Sequence, residues 1–132
     1  MKVIQTSGKR KKAIARATIK PGKGLVRVNK RPVQILSPEL ARQKILEPIV
    51  MAGDKIKKLD IEVNVQGGGI MAQADATRTA IARGIVAYLE SKELESLYKE
   101  RDRTLLASDP RRKMPKKPMG RGARKKRQKS YR

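Results

Sequence analysis

The side chains able to do chemistry in this chain are overwhelmingly cationic. It has 34 Lys and Arg residues against 12 Asp and Glu residues, with no His and no Cys. Without His and Cys, the chain lacks the commonest general base, thiol nucleophiles, disulfides and the usual zinc ligands. Lysine and arginine donors instead bind anions, above all phosphate groups. We therefore expect no enzymatic activity, no metal site and no cofactor.

The charges are sorted along the chain. Residues 1–38 contain eleven Lys or Arg and no acid, and residues 110–132 contain twelve basic residues and no acid. All twelve acidic residues lie in residues 39–109, together with eleven basic ones. A near-neutral body between two cationic ends indicates a large anionic partner that both ends contact.

The C-terminal segment, residues 110–132, is called the tail here. Its prolines and glycines (Pro110, Pro115, Pro118, Gly120 and Gly122) prevent a continuous helix or a central strand. It has too few large apolar side chains to offset its conformational entropy, so we expect it to be disordered when free. Fully extended, it would reach about 75 Å. The sequence thus predicts a globular domain over residues 1–109 and an extended basic tail.

The body must position these cations, and its first half predicts strands followed by a helix. The predicted elements are a short strand over residues 3–6, a basic loop over 7–12, a strand over 13–20, its hairpin partner over 25–28, a short strand over 33–36 and a helix over 39–47. Ser37 is the expected N-cap of that helix and Pro38 its first residue, and Pro48 should end or kink it.

The second half of the body has clearer patterns. Residues 59–66 alternate perfectly between apolar and polar side chains, which predicts a strand with one buried face. An alanine-rich helix over about 70–89 and a shorter one over 92–101 follow, with apolar residues three and four apart. The order of elements predicts a two-layer α/β (α+β) sandwich, a mixed sheet with helices on one face.

Gly67, Gly68 and Gly69 lie between the alternating strand and the long helix. Glycines at a helix N-terminus allow backbone amides to approach a phosphate. The same residues are more typical of a tight turn with positive φ angles. No Gly-Lys-Ser/Thr follows, so this is not a nucleotide P-loop.

Other charged residues have plain structural interpretations. Arg78 and Arg83 on the long helix are either a solvated surface or a contact to RNA. Asp60 and Glu62 share a strand face, but two carboxylates without a pocket are weak evidence for acid–base catalysis.

The basic ends admit several anionic partners. A polybasic targeting signal or a lipid-binding patch is possible, but lipid binding usually needs bulky apolar anchors that the tail lacks. No apolar run is long enough to span a membrane, and no leader peptide is evident. With no Phe or Trp and three Tyr, base-stacking platforms are excluded. Phosphate-driven recognition of folded RNA remains.

Several motifs together resemble the family of the ninth protein of the small ribosomal subunit. They are the run Gly67-Gly68-Gly69 with Ala72-Gln73, Ala76, Ala80 and Ala82-Arg83-Gly84-Ile85; the opening Ser7-Gly8-Lys9-Arg10-Lys11 with Ala13 and Ala15; and the hairpin from Gly22 to Asn29. The ending Lys129-Ser130-Tyr131-Arg132 is similar to the archaeal and eukaryotic branch, and the archaeal type fits best. The resemblance covers the whole chain.

The resemblance implies a fold and a function. The fold is the sandwich also found in the second domain of the fifth small-subunit protein, with a left-handed βαβ crossover. Family members are non-enzymatic, cytoplasmic components of the ribosome that bind rRNA in the head of the small subunit beside other head proteins. Their tail reaches the peptidyl-tRNA site and contacts the anticodon stem-loop. No membrane contact or homo-oligomer is implied.

Carried onto this sequence, the resemblance assigns residues to each contact. The tRNA contacts are Arg132, Tyr131, Ser130 and Lys129. The rRNA contacts are Lys9, Arg10, Lys11, Lys12, Arg16, Arg111, Arg112, Lys113, Lys116, Lys117, Arg121, Arg124, Lys125, Lys126 and Arg127, with Gly67, Gly68 and Gly69 as a possible phosphate-contacting loop.

Two other functions are weighed against this one. A free-standing RNA chaperone or nucleoid-type protein would bind by charge alone, indifferent to the fold of the RNA. A small-molecule kinase with a similar sandwich would need a catalytic acid or base and a longer nucleotide loop, and the sequence has neither.

Overall fold

Five strands form one mixed sheet, in the order β1-β2-β5-β3-β4. The computed structural model describes residues 1–126 and 128–131. The strands are β1 (Ile4–Arg10), β2 (Ala13–Pro21), β3 (Val26–Val28), β4 (Arg31–Pro32) and β5 (Leu59–Gln66). The helices are α1 (Glu39–Ala52), α2 (Ile70–Leu89) and α3 (Lys92–Arg101). This is the mixed α/β architecture that the sequence predicts.

Strands β2 and β5 supply the sheet's side of the core. Ala13, Ala15, Ala17 and Ile19 on β2 are buried, as are all four apolar residues of β5. Their alternate neighbours are half-buried or exposed, so the helices cover one face of the sheet and leave the other open. The alternation in the sequence therefore identified both the strands and their buried faces.

Helix α2 lies unusually close to β1 and β2, and two glycines permit this approach. A Cβ at Gly8 in β1 would clash with the Ala76 carbonyl oxygen of α2, and one at Gly84 in α2 would clash with Ile19 of β2. The small alanines on the buried face of α2 complete this contact. The close packing fixes the middle and the C-terminal half of α2 against the sheet.

The N-terminal strands differ from the prediction in three ways. The predicted basic loop is mostly strand, because β1 continues through Arg10 and pairs with β2 along its whole length. The segment 25–28 does not pair with β2. Strand β5 occupies that edge in an eight-residue antiparallel register, and β3 pairs parallel to β5 instead. The predicted strand over 33–36 is a 3₁₀ turn, Val33–Ile35.

Helix α1 extends beyond its predicted end. Pro48 lies inside it, and the helix continues to Ala52. The proline ring is buried, and the Tyr98 hydroxyl donates a 2.6 Å hydrogen bond to the Pro48 carbonyl oxygen. Burial of the ring and this bond stabilise the helix and so offset the helix bond lost at the Lys44 carbonyl, for which Pro48 has no amide donor. The N-cap is Pro38 rather than Ser37, and no side chain caps the helix.

Helix α3 is amphipathic and has a side-chain cap at its N-terminus, and the chain after it leads into the tail. Ser91 caps it by accepting a bond from the Leu94 amide, and Leu94 and Tyr98 are buried while Leu97 is 45% exposed. After a 3₁₀ turn, Arg103–Leu105, the described chain continues to residue 126 without helix or strand, apart from one bridge between Gly120 and Lys126. No helix in the described part is long and apolar enough to cross a membrane.

The close approach of β1 and α2 makes a direct prediction. Gly8→Ala should destabilise the protein by about 1–3 kcal/mol or more, because the new methyl group meets backbone atoms of α2 that cannot move aside. Urea unfolding measures the change. Ser7→Ala, one residue away with an exposed side chain, is the matched control and should stay within about 0.5 kcal/mol. Equal stability of the two variants would contradict this packing.

Candidate nucleic-acid interface

Three segments that are distant in the sequence meet at one end of the sheet. Because Ile14 of β2 pairs with Gln66 of β5, the β1–β2 turn lies beside the glycine loop that follows β5. The turn consists of Lys11 and Lys12. The start of the tail reaches the same end, since the Arg10 guanidinium donates a 2.8 Å hydrogen bond to the Arg111 carbonyl oxygen.

These segments enclose a cleft of about 620 Å³, called the basic cleft here. It is lined by Arg10, Lys11, Lys12, Gly68, Gly69, Ala72, Arg111, Arg112 and Lys113. Six of the nine lining residues are cationic and none is acidic. A concave surface lined by charge of one sign concentrates the electrostatic field. The basic cleft therefore attracts anions, and a polyanion can contact several of its cations at once.

The glycine loop at the wall of the cleft is a tight turn. Gly67 and Gly68 have φ angles of 79° and 67°, and a Cβ at Gly67 would lie 2.5 Å from the Lys12 carbonyl oxygen. Both positions therefore require glycine for conformation and space. Gly69 is the N-cap of α2, with no side chain capping the helix. The structural interpretation thus applies to Gly67 and Gly68, and the helix end beside the cations suits an anion.

The predicted N-terminal cations are divided between two surfaces. Lys11 and Lys12 lie exposed at the cleft, whereas the side chains of Lys9 and Arg16 lie on the open face of the sheet. Arg16 is in register with Ser7 on one side and Asn64 on the other. Alternation along β1 places Lys9 and Arg10 on opposite faces of the sheet, whereas Lys11 and Lys12 belong to the turn at the cleft.

Arg10 and Arg111 are already engaged within the chain. The Asp109 carboxylate accepts hydrogen bonds from the Arg111 amide at 3.0 Å and from the Arg111 guanidinium. The Arg10 Nη2 lies 3.8 Å from the same carboxylate. The Arg111 guanidinium and amide, with Arg10 nearby, lower the pKa of Asp109 to about 2. The Arg111 side chain is nevertheless 81% exposed, so most of its donors face the cleft and solvent.

Arg78 and Arg83 have structural roles that the sequence left undecided. Arg78 is buried and bonds to Glu47 at 2.8 Å and Asp102 at 3.2 Å. Burial alone would raise the pKa of Asp102, but bonds from the Thr104 amide and hydroxyl and from Arg78 lower it. The Arg83 guanidinium donates to the Leu106 carbonyl oxygen at 2.6 Å. The available signal was position, because Arg78 follows buried Ala74 by four residues and precedes buried Ile81 by three.

The strand carboxylates are also structural. Asp60 accepts hydrogen bonds from the Lys23 and Leu25 amides, which lower its pKa, and Glu62 lies 3.4 Å from Lys20. Asp60 stabilises the β2–β3 connection and Glu62 lies beside Lys20 of β2, so the two carboxylates offer no acid–base pair. Among the described residues, no group of acidic side chains is arranged to hold a metal ion.

A second group of lysines, which the sequence analysis missed, lies at the opposite end of the sheet. A 3₁₀ turn, Gly53–Lys58, leads into β5 there and contains Lys55, Lys57 and Lys58. Lys57 is paired with Asp54 at 2.8 Å. This group, the far lysines, provides an internal comparison for the basic cleft, because its charge is partly neutralised.

The rest of the tail is exposed. The basic residues between 112 and 126 are exposed or half-buried, and the described structure contains no hydrogen bond from residues 112–126 to the body. Of the predicted tRNA contacts, Lys129, Ser130 and Tyr131 are exposed, Tyr131 by 89%. Arg127 and Arg132 lie outside the described residues.

Comparison with known proteins gives consistent matches. The family described as Ribosomal protein S9/S16 matches residues 8–132. The small ribosomal subunit protein uS9 of Thermoplasma volcanium is 55% identical over 132 residues, covering 100% of both chains. That of Thermoplasma acidophilum is 58% identical over 127 residues, covering 96% of this chain and 98% of the relative. That of Methanothrix thermoacetophila is 54% identical over 132 residues, again covering 100% of both.

These matches confirm the resemblance read from the glycine-alanine run and the chain ends, including its archaeal type. The family consists of structural, non-enzymatic ribosomal proteins that work in translation, in the cytoplasm, as part of a ribonucleoprotein. The expectation that the chain is not an enzyme is confirmed on this ground. The chain belongs to the ribosomal protein S9/S16 family.

Proposed function

We propose that this protein docks on rRNA in the head of the small ribosomal subunit and extends its tail to the peptidyl-tRNA site. Its place as a structural constituent of the small subunit follows from its family. The observation that supports the docking mode is the basic cleft, where six cations and an uncapped helix N-terminus converge without an acidic residue in the lining. Such a site suits the phosphodiester backbone of folded RNA, since phosphate contacts set the register without reading sequence.

The body contacts rRNA through two adjoining surfaces. Lys11, Lys12 and the exposed face of Arg111 meet phosphates at the cleft, and the glycine loop lets the backbone approach one of them. Lys9 and Arg16 extend the contact onto the open face of the sheet, where the neighbouring hydroxyl and amide side chains of Ser7 and Asn64 suit ribose hydroxyl groups. One copy of the chain acts in each subunit, beside other proteins of the head.

The tail continues the contact by threading through rRNA. It is disordered when free and folds on binding, because it has many charges and few apolar side chains to bury. The rRNA contacts along it are Arg112, Lys113, Lys116, Lys117, Arg121, Arg124, Lys125, Lys126 and Arg127. At its tip, Lys129, Ser130, Tyr131 and Arg132 contact the anticodon stem-loop of peptidyl-site tRNA. The boundary between the body, residues 1–109, and the tail is part of this proposal.

A second proposal concerns the fold that the chain shares with another ribosomal protein. Strands β3 and β5 are parallel neighbours connected through α1. We assign this unit the left-handed crossover of the family sandwich, shared with the second domain of the fifth small-subunit protein.

Removing residues 130–132 tests the role of the tail tip. We expect truncated subunits to assemble normally, because the basic cleft is intact, but to hold peptidyl-site tRNA several-fold more weakly, since Arg132 offers a donor fork that suits phosphate. Filter binding of tRNA to reconstituted subunits measures this change. Lys116→Gln with Lys117→Gln, which removes two charges from the middle of the tail, is the control and should affect assembly rather than tRNA affinity. Equal tRNA affinity of truncated and intact subunits would exclude the tip contact.

The salt dependence of rRNA binding tests the basic cleft. Each neutralised phosphate contributes about −0.7 to −0.9 to the slope of log K against log salt concentration. Lys11→Gln with Lys12→Gln should therefore reduce the slope's magnitude by about 1.4–1.8. The same loss of charge at the far lysines, through Lys55→Gln with Lys58→Gln, should change it much less. Equal reductions by both pairs would show charge-only binding and favour the chaperone function.

A further inference from the structure

We infer that Arg10 is a positioning residue that, with Asp109, fixes where and in which direction the tail leaves the body. This inference rests on the proposed role of the tail at the tRNA site. It changes the role of Arg10, which the sequence assigned to direct rRNA contact. The observations that carry it are contacts with the chain between residues 102 and 111, which are made by Arg10, Arg78 and Arg83.

All three nitrogens of the Arg10 guanidinium lie near acceptors within the protein, and one of them makes a hydrogen bond. One terminal nitrogen, Nη1, donates to the Arg111 carbonyl oxygen at 2.8 Å, and the other, Nη2, lies 3.8 Å from an Asp109 carboxylate oxygen. Its Nε lies 3.9 Å from Asp75, whose other oxygen is held by Lys44 at 3.0 Å. The Arg10 side chain is only 16% exposed. It therefore joins β1, α1 and α2 to the root of the tail and has little surface left for RNA.

Asp109 closes this contact from the other side. Its carboxylate accepts the Arg111 amide at 3.0 Å, the Arg111 Nε at 2.9 Å and the Arg111 Nη2 at 2.7 Å. Its side chain is 12% exposed, unlike that of an ordinary surface aspartate. The tail root is thus bent around one carboxylate, with Arg10 bound to the carbonyl of the bent residue. We call this set, Arg10, Asp109 and Arg111, the tail clamp.

The chain immediately before the clamp is also fixed. The Thr79 hydroxyl lies 3.0 Å from the Thr104 carbonyl oxygen, and the Arg83 Nε lies 2.6 Å from that of Leu106. Arg83 also donates to the Ser7 carbonyl oxygen of β1 at 2.9 Å. The body therefore holds the main chain at residues 104, 106 and 111, all against β1 and α2. The free arm begins after Arg111, two residues beyond the boundary that the sequence predicts.

Arginine suits the clamp in a way that lysine would not. Its planar fork reaches a carbonyl oxygen and two carboxylates in different directions, whereas a lysine ammonium is a single point of charge. Loss of the fork would free the chain back to the next anchor, the Leu106 carbonyl. The arm would then be longer and undirected, so the effective concentration of its tip at a fixed distant site would fall.

Pulsed electron paramagnetic resonance on the free, full-length protein tests the clamp directly. Because the chain has no cysteine, Glu93→Cys on α3 and Met114→Cys in the tail accept spin labels at those two exposed sites alone. We expect a narrower distance distribution in the parent chain than in Arg10→Gln or Asp109→Asn, and no extra broadening when both changes are combined. Lys9→Gln, which removes the same charge from the adjacent exposed residue, should leave the distribution narrow. Arg10→Lys should be broadened nearly as much as Arg10→Gln.

An unchanged distribution in Arg10→Gln, or equal broadening in Lys9→Gln, would overturn the clamp. Because no RNA is present, this readout does not depend on the proposed function. In reconstituted subunits, we expect Arg10→Gln to lower peptidyl-site tRNA affinity by about two- to threefold with rRNA binding retained. A loss of rRNA affinity with an unchanged distance distribution would instead return Arg10 to direct RNA contact. Broadening without any change in tRNA affinity would overturn the link between the clamp and the tail tip.

Discussion

The antiparallel pairing of β2 with β5 is the interaction on which the rest of the structure depends. Its eight-residue register joins strands that are about forty positions apart in the chain and separates β2 from β3, which the intervening turn would otherwise bring together. The pairing places the Lys11–Lys12 turn beside the glycine loop, and the close packing of Gly68 on Ala13 and Ala72 holds the first turn of α2 at the same end. The basic cleft is a consequence of this register rather than of any one basic segment.

The cations of the protein fall into two groups with different physical roles. Arg78, Arg83 and Arg10 are buried or mostly buried, and they bind carboxylates or main-chain carbonyls that connect the last turn of the body to β1 and α2. The other cations of the cleft and tail, by contrast, are mostly exposed and have no acidic neighbour in the cleft lining. Four of the twelve acidic residues, Glu47, Asp75, Asp102 and Asp109, lie beside arginines of the first group. The body thereby anchors a strongly cationic arm without neutralising it, which is what a phosphate-binding extension requires.

The parts of the fold and of the site that could be predicted are those whose sequence pattern is local. The alternation of residues 59–66 and the apolar spacing of α2 predicted those elements well, because each pattern needs only its own residues. The pairing of β3 with β5 was not predictable from a three-residue strand, and neither was the burial of Arg78, whose partners Glu47 and Asp102 are distant in sequence. Pro48 misled the prediction because its buried ring and the Tyr98 bond to its carbonyl stabilise the helix although proline lacks an amide donor. The basic segments themselves were identified, but their convergence required the fold. The tRNA contacts of the tail tip rest on family resemblance alone.

Directed hydroxyl-radical probing of reconstituted small subunits tests the central claim most directly, that the cleft end of the body faces rRNA together with the tail root. Iron chelates would be attached to single cysteines placed at Lys12, at Arg112 and, among the far lysines, at Lys55. The account predicts strong cleavage of overlapping rRNA nucleotides from positions 12 and 112, and weaker cleavage at different nucleotides from position 55. Strong cleavage from position 55 with none from position 12 would contradict it, because the body would then dock through the opposite end of the sheet.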